Sequence, residues 1–284
     1  MRIIVAGASG VIGRSLVPML VKAGHEVFGL IRNVEHAANV SESGARVFVA
    51  DVFDREVLFG IFREVKPAVV INQLTSLRNM DFAETTRLRL EGTRNLVEAS
   101  VENNVRKMIT QSVSWAYTPG EGPADEDCPL DSDSSQNRKL FVDSIYTLEA
   151  AAKEMPEHVI LRYGLLYGPG TFYAGNGMMA DKVRQGKLVA SKGVSSFVLA
   201  EDAARAALLA LDWPTGPYNI VDDEPAAETD WLPVYAAALG APEPVASGSG
   251  DVWERGSLNS KAVGQGWVPK YHSWREGFRN TLDL

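Results

Sequence analysis

Arg2-Ile3-Ile4-Val5-Ala6 runs without a break into Gly7-Ala8-Ser9-Gly10-Val11-Ile12-Gly13, and these twelve residues decide the fold. The first five are apolar and largely β-branched, the composition of a short strand buried on both faces. The glycines follow a GxxGxxG pattern. Leu16, Leu20 and Val21 then repeat at helical spacing, and Ala23-Gly24 offers a left-handed helix end. His25 to Ile31 reads as a second strand. Strand, glycine turn, helix and strand in that order make a dinucleotide-binding unit. Gly7 permits the tight turn, Gly10 lets backbone approach a pyrophosphate, and Gly13 lets helix pack close to strand. The first helical amides and the positive end of the helix dipole then face the phosphates.

The chain has 284 residues, 45% hydrophobic, with a formal net charge of −8 and no basic run. One large α/β unit with a smaller appended region fits that length. The acidic balance argues against nucleic acid and anionic membranes as partners. A single cysteine, Cys128, excludes an intrachain disulfide and a cysteine-based zinc site. No apolar run approaches the roughly 18 residues that span a bilayer, and the strand at Arg2 leaves no room for a signal peptide. A soluble, cytoplasmic protein is expected.

Arg32 follows the second strand, where NAD-binding units usually place an acid for the ribose 2′-hydroxyl. A guanidinium there suits the 2′-phosphate of NADP(H), and Arg14 adds a second positive charge. Ala45–Ala50 is expected as the third strand, and Ala68–Asn72 as the fourth, leading into Gln73-Leu74-Thr75. Asp54 reads as the N-cap of a helix over Arg55–Val65, which leaves Asp51 free. A long helix is expected over Phe82–Asn103, a fifth strand over Val105–Thr110, a helix over Leu140–Met155 and a sixth strand over Glu157–Arg162. Between them, Pro119–Arg138 is long, acidic and aperiodic, the signature of a lid or binding loop.

These motifs resemble the extended and atypical short-chain dehydrogenase/reductase superfamily along nearly the whole chain. The resemblance implies a doubly wound parallel sheet (Rossmann fold) over residues 1–163, and a smaller substrate-capping region over 164–284, interleaved with the main sheet. It implies cofactor contacts from Gly7, Ala8, Ser9, Gly10, Val11 and Ile12, with the adenine against Asp51 and Val52. Gln73, Leu74 and Thr75 fall where members line the ribose-phosphate side with small residues, so the polar Asn72-Gln73 pair is a departure. Gly92-Thr93-Arg94-Asn95-Leu96 matches a GTxNL segment, with Arg89 where many members carry asparagine. Tyr163, Gly164 and Leu165 match the segment whose backbone faces the nicotinamide. Ser114, Trp115 and Tyr117, with Phe172, Tyr173, Met178 and Met179, are expected against a flat apolar substrate, the last four as a hydrophobic lid.

Ser112 falls on the superfamily's catalytic serine and Tyr146 on its tyrosine. Four residues after Tyr146, however, stands Ala150 in place of lysine. Lysine would share the tyrosine's helix face and lower its pKa. Lys153 lies about 10 Å further along the axis than Tyr146 and cannot substitute. Ionising an ordinary tyrosine at pH 7 costs about 4 kcal/mol, so oxidation suffers more than reduction. The resemblance is then to ketoreductases that tailor aromatic polyketides: NADPH-dependent, acting on a small-molecule aromatic ketone, with a phenol beside the ketone able to supply the proton. Two other readings stand beside it, a nucleotide-sugar epimerase or dehydratase and a non-enzymatic NADP(H)-sensing protein.

Overall fold

The computed structural model describes residues 1–76 and 82–282. In chain order the elements begin β1 (Arg2–Ala6), α1 (Val11–Lys22), β2 (Glu26–Ile31), α2 (Ala37–Ser41), β3 (Arg46–Val49), α3 (Arg55–Val65), β4 (Val69–Asn72) and α4 (Phe82–Arg87). There follow α5 (Thr93–Glu102), β5 (Lys107–Val113), α6 (Gln136–Ala152), β6 (Glu157–Tyr163), β7 (Leu165–Tyr167), α7 (Met178–Arg184), β8 (Val189–Ala190), β9 (Val194–Ser195) and β10 (Phe197–Leu199). The chain ends with α8 (Ala200–Leu209), β11 (Gly216–Ile220), β12 (Ala226–Ala227), α9 (Glu228–Ala238), β13 (Val245–Ala246), α10 (Ser260–Gly264) and α11 (Trp274–Thr281).

A seven-stranded parallel sheet carries the fold, in the order β11-β6-β5-β4-β1-β2-β3. Ile4 lies opposite Phe28 on one side and Val70 on the other. Ile3, Ile4, Val5 and Ala6 are fully enclosed, as their apolar run requires of a strand covered on both faces. Strand order reverses between β1 and β4, which creates the crevice where doubly wound sheets bind ligands. Asp54 caps α3 by accepting from the Val57 amide at 3.1 Å. The long helix expected after Phe82 is interrupted: Leu88–Gly92 forms one wide π-type turn between α4 and α5. Such turns interrupt helices most often at functional sites.

The chain divides into two compact units. One comprises residues 1–112, 132–161 and 204–217, the other 113–131, 162–203 and 218–284. The first unit is held by an aliphatic core in which Leu58 and Phe62 of α3 meet Leu96 of α5 and Val70 of β4. The second has an aromatic core. Tyr173, Phe197, Trp231 and Tyr235 contact one another edge to face, with ring centroids 5.1 to 6.4 Å apart. Among the described residues no helix is long and apolar enough to cross a membrane.

Candidate functional site

The glycine turn has the geometry its sequence demands. Gly7 sits at φ +84°, and a Cβ there would lie 2.5 Å from the Gln73 carbonyl oxygen. At Gly13 a Cβ would lie 2.3 Å from the Gly7 oxygen, so only glycine lets α1 approach β1 this closely. Gly10 caps α1 without any side-chain hydrogen bond, which leaves the first-turn amides and the dipole's positive end for an anion. Ala8 is buried, Ser9, Gly10 and Val11 are half-buried, and Ile12 is anchored in the core. This cradle fits a dinucleotide pyrophosphate.

Around it, Arg32 donates to Glu84 on α4 at 2.5 Å while remaining 61% exposed, and Arg14 is exposed. Asp51 does not cap α3. Its carboxylate accepts from the Phe53 amide and shapes the turn carrying Val52, whose carbonyl is held by Asn95 of the GTxNL segment at 2.9 Å. The Asn72 amide is engaged internally. It donates to Thr93 at 3.1 Å and accepts from the Leu74 amide at 3.1 Å, so this residue builds the exit of β4. Gln111 of β5 donates to the Leu74 carbonyl at 2.5 Å. Gln73 is buried and Thr75 exposed at the same turn.

At the end of β5 the structure brings together a pair that sequence reasoning missed. The Ser112 hydroxyl donates to Oε1 of Glu149 at 2.7 Å, with both residues buried. Glu149 lies one position before Ala150 and three after Tyr146. On α6 that spacing turns it 60° toward the stripe of Val142 and Ile145, while Tyr146 stays 62% exposed. Arg89, from the π-type turn, donates to Ser144 at 3.2 Å and lies over the Phe141 ring at 5.0 Å. Burial pushes its guanidinium down to about 10. The serine position therefore faces a carboxylate, and the lysine position is empty of charge. Glu149 could have been found from its helical phase; its partner could not.

The second unit carries a partly open pocket of about 210 Å³. Ser114, Trp115, Tyr117, Leu165 and Tyr173 line it, together with Glu228, Trp253, Glu254 and Arg255, which no sequence motif announced. Tyr117 is fixed: its hydroxyl donates to Asn219 at 2.6 Å and accepts from Arg162 at 2.9 Å. Burial raises its pKa well above the ordinary tyrosine range, so it holds its proton. Tyr163 is buried, with its hydroxyl near the Ala203 carbonyl. Gly164 packs so tightly that a Cβ would meet the Ser196 oxygen at 2.6 Å.

The expected lid separates into parts. Tyr173 belongs to the aromatic core, because its ring is locked by Phe197, Trp231 and Tyr235; Phe172, Met178 and Met179 are half-buried beside it. The stretch 119–131 is laced down rather than loose. Thr118 bonds Pro129, Asp131 bonds Ala116 and Ala124 bonds Gly256 through backbone amides. Arg255 donates to the carbonyls of Thr118, Glu121 and Gly122.

The NAD dependent epimerase/dehydratase family matches residues 3–221. A 3-diazoavenalumate denitrifying reductase from Streptomyces sp is 40% identical, over 98% of this chain and 99% of that protein. A 4-hydroxy-2-methyl-3-oxo-4-farnesyl-3,4-dihydroquinoline-1-oxide ketoreductase from Stigmatella aurantiaca is 31% identical over 46% of this chain and 39% of its own. Among solved structures, the UDP-glucose 4-epimerase of Thermus thermophilus in complex with NAD superposes with a TM-score of 0.80, at 28% identity, covering 100% of this chain and 98% of that one.

Proposed function

Because the chain belongs to the NAD dependent epimerase/dehydratase family, we propose that it is an NADPH-dependent reductase that delivers hydride to a small aromatic electrophile without a tyrosine–lysine proton relay. The observation that carries this reading is the state of the relay positions: Ala150 stands for lysine, and Ser112 gives its hydrogen to Glu149. An enzyme so built suits a substrate that needs no proton from the protein. A diazo group in its diazonium form is one. Hydride adds to the ring carbon, the carbon–nitrogen bond breaks, and N₂ leaves with the bonding pair. The reductase relative whose name carries that chemistry spans the full length of this chain, which supports the choice.

When bound, NADPH supplies the hydride. The chain's own residues do the rest. Gly7, Gly10 and the first turn of α1 hold the phosphates, and Arg32 and Arg14 meet the 2′-phosphate. Val52 and Asp51 would flank the adenine. Trp115, Tyr173 and Trp253 give the cavity aromatic walls. Its volume suits one substituted ring, since an apolar cavity of about 150 Å³ holds benzene.

A second reading keeps the ketone. The ketoreductase relative favours it, as does the resemblance to the angucyclinone 7-ketoreductase of the simocyclinone pathway. There a phenol next to the carbonyl would protonate the developing alkoxide. NADPH consumption decides between them. Substituted benzenediazonium salts should be reduced to the arene with release of N₂, and ortho-hydroxyaryl ketones should be consumed at least 100-fold more slowly. Fast ketone turnover without diazonium turnover would install the second reading, and no turnover of either would leave a dinucleotide-binding protein without reductase activity.

A further inference from the structure

The buried Glu149 carboxylate, held by Ser112, lies one residue before Ala150, where the resemblance implies lysine. In a doubly wound sheet each half binds one nucleotide of the pair. The glycine cradle and Arg32 assign the adenosine half to β1, β2 and β3, so the other nucleotide belongs to the carboxyl ends of β4 and β5. Ser112 is the next-to-last residue of β5, Gln111 beside it ties β5 to the exit of β4, and Ser112 anchors Glu149 there at 2.7 Å.

We infer that Glu149 is an electrostatic residue of the nicotinamide side, biasing the bound dinucleotide toward its oxidised, positively charged form. This inference rests on the reductase reading above. The oxidised ring carries one positive charge that the reduced ring lacks. A carboxylate 1% exposed acts through a medium of low effective dielectric, where a unit charge at several ångströms alters binding by an order of magnitude or more. Hydride donation creates positive charge on the ring, so the same field favours the reductive direction. Lysine near this position would oppose it. Arg89 is fixed separately by Ser144 and Phe141, five and eight residues earlier on α6, and a Glu149 variant leaves it in place.

The test is the ratio of dissociation constants for NADP⁺ and NADPH, measured by titration without substrate. Glu149→Gln keeps an acceptor for Ser112 and removes the charge; it should raise the NADP⁺/NADPH ratio by about tenfold. Ala150→Lys, at an exposed helix position, should raise the ratio as well, and it carries the test should Glu149→Gln fail to fold. Ser112→Ala keeps the carboxylate and should move the ratio less than threefold. A ratio unchanged within twofold in both charge variants overturns the inference while the reductase reading stands. Failure of the wild-type chain to bind either dinucleotide overturns both.

Discussion

The two ends of the dinucleotide crevice obey different rules. At β1–α1 every position keeps what the fold demands: Gly7 at φ +84°, Gly13 with no room for a Cβ, an uncapped helix start at Gly10. At β5–α6 the positions that carry chemistry in the superfamily have been changed. Ala150 stands where the resemblance implies lysine, Ser112 has a carboxylate partner, and Arg89 of the neighbouring π-type turn stands where the resemblance implies asparagine. The difference separates two functions of one crevice. Holding the dinucleotide depends on backbone shape, which tolerates no substitution. A proton relay depends on side chains, which the proposed diazonium substrate would make dispensable.

Breaking the glycine end should produce the largest effect. Gly13→Val forces a side chain against the Gly7 and Ala8 oxygens, 2.3 and 2.6 Å from its Cβ. Overpacking of this kind costs about 1–3 kcal/mol of stability, and the displaced first turn of α1 should lose at least 100-fold in dinucleotide affinity, read by calorimetric titration and thermal melting. Retained affinity would mean that the cradle is not the phosphate site. In the second unit, Arg255→Ala removes three charge-assisted bonds to the 118–122 backbone. It should cost about 2 kcal/mol and sharply raise hydrogen exchange at Thr118 to Ala124. In the wild-type chain that stretch should exchange slowly even without ligand; fast exchange there would restore the lid expected from sequence.

How much was legible follows the same division. The strand–glycine–helix run, the Asp54 cap and the α3 boundaries depend on neighbours a few residues apart, and the structure returns α3 at Arg55–Val65 as read. The π-type turn at Leu88–Gly92 escaped: no local pattern marks it, and Thr93 beside it is bonded to Asn72 of a distant strand. Glu149 escaped because its partner Ser112 is 37 residues away and no local pattern marks the contact. Arg255, Trp253 and Glu228 reach the cavity only through tertiary folding, and no local pattern marks them. Tyr173 was legible as an aromatic near the substrate region but not as a core residue, since its three ring partners lie 24 to 62 residues along the chain.

Arg32 tests whether the adenosine side reads the 2′-phosphate. Its guanidinium is already bonded to Glu84 and is well exposed, so the contact is worth the low end of a charged hydrogen bond. Arg32→Ala should weaken NADPH by about 1 kcal/mol, roughly fivefold, and leave NADH nearly unchanged. Glu84→Gln, which removes the competing carboxylate charge, should tighten NADPH slightly. Equal losses for both dinucleotides in Arg32→Ala would remove the 2′-phosphate contact.

The smallest expected effect is the most telling about the altered end. Removal of a working general acid costs 100- to 10,000-fold, a typical range for acid–base catalysis. In this chain Tyr146→Phe and Ser112→Ala should each keep kcat within about threefold of wild type, with KM little changed. The reason is structural as well as chemical. Tyr146 is exposed on α6 with Ala150, not lysine, one turn on. The Ser112 hydrogen is already given to Glu149. A diazonium substrate takes hydride alone and releases N₂, so neither hydroxyl has a proton to deliver. If the substrate is instead an ortho-hydroxyaryl ketone, the two variants still stay active, but methylating the phenol should lower kcat by at least 100-fold. A 100-fold loss in Tyr146→Phe, with fold and dinucleotide affinity intact, would put the proton back on the protein and erase the contrast between the two ends of the crevice.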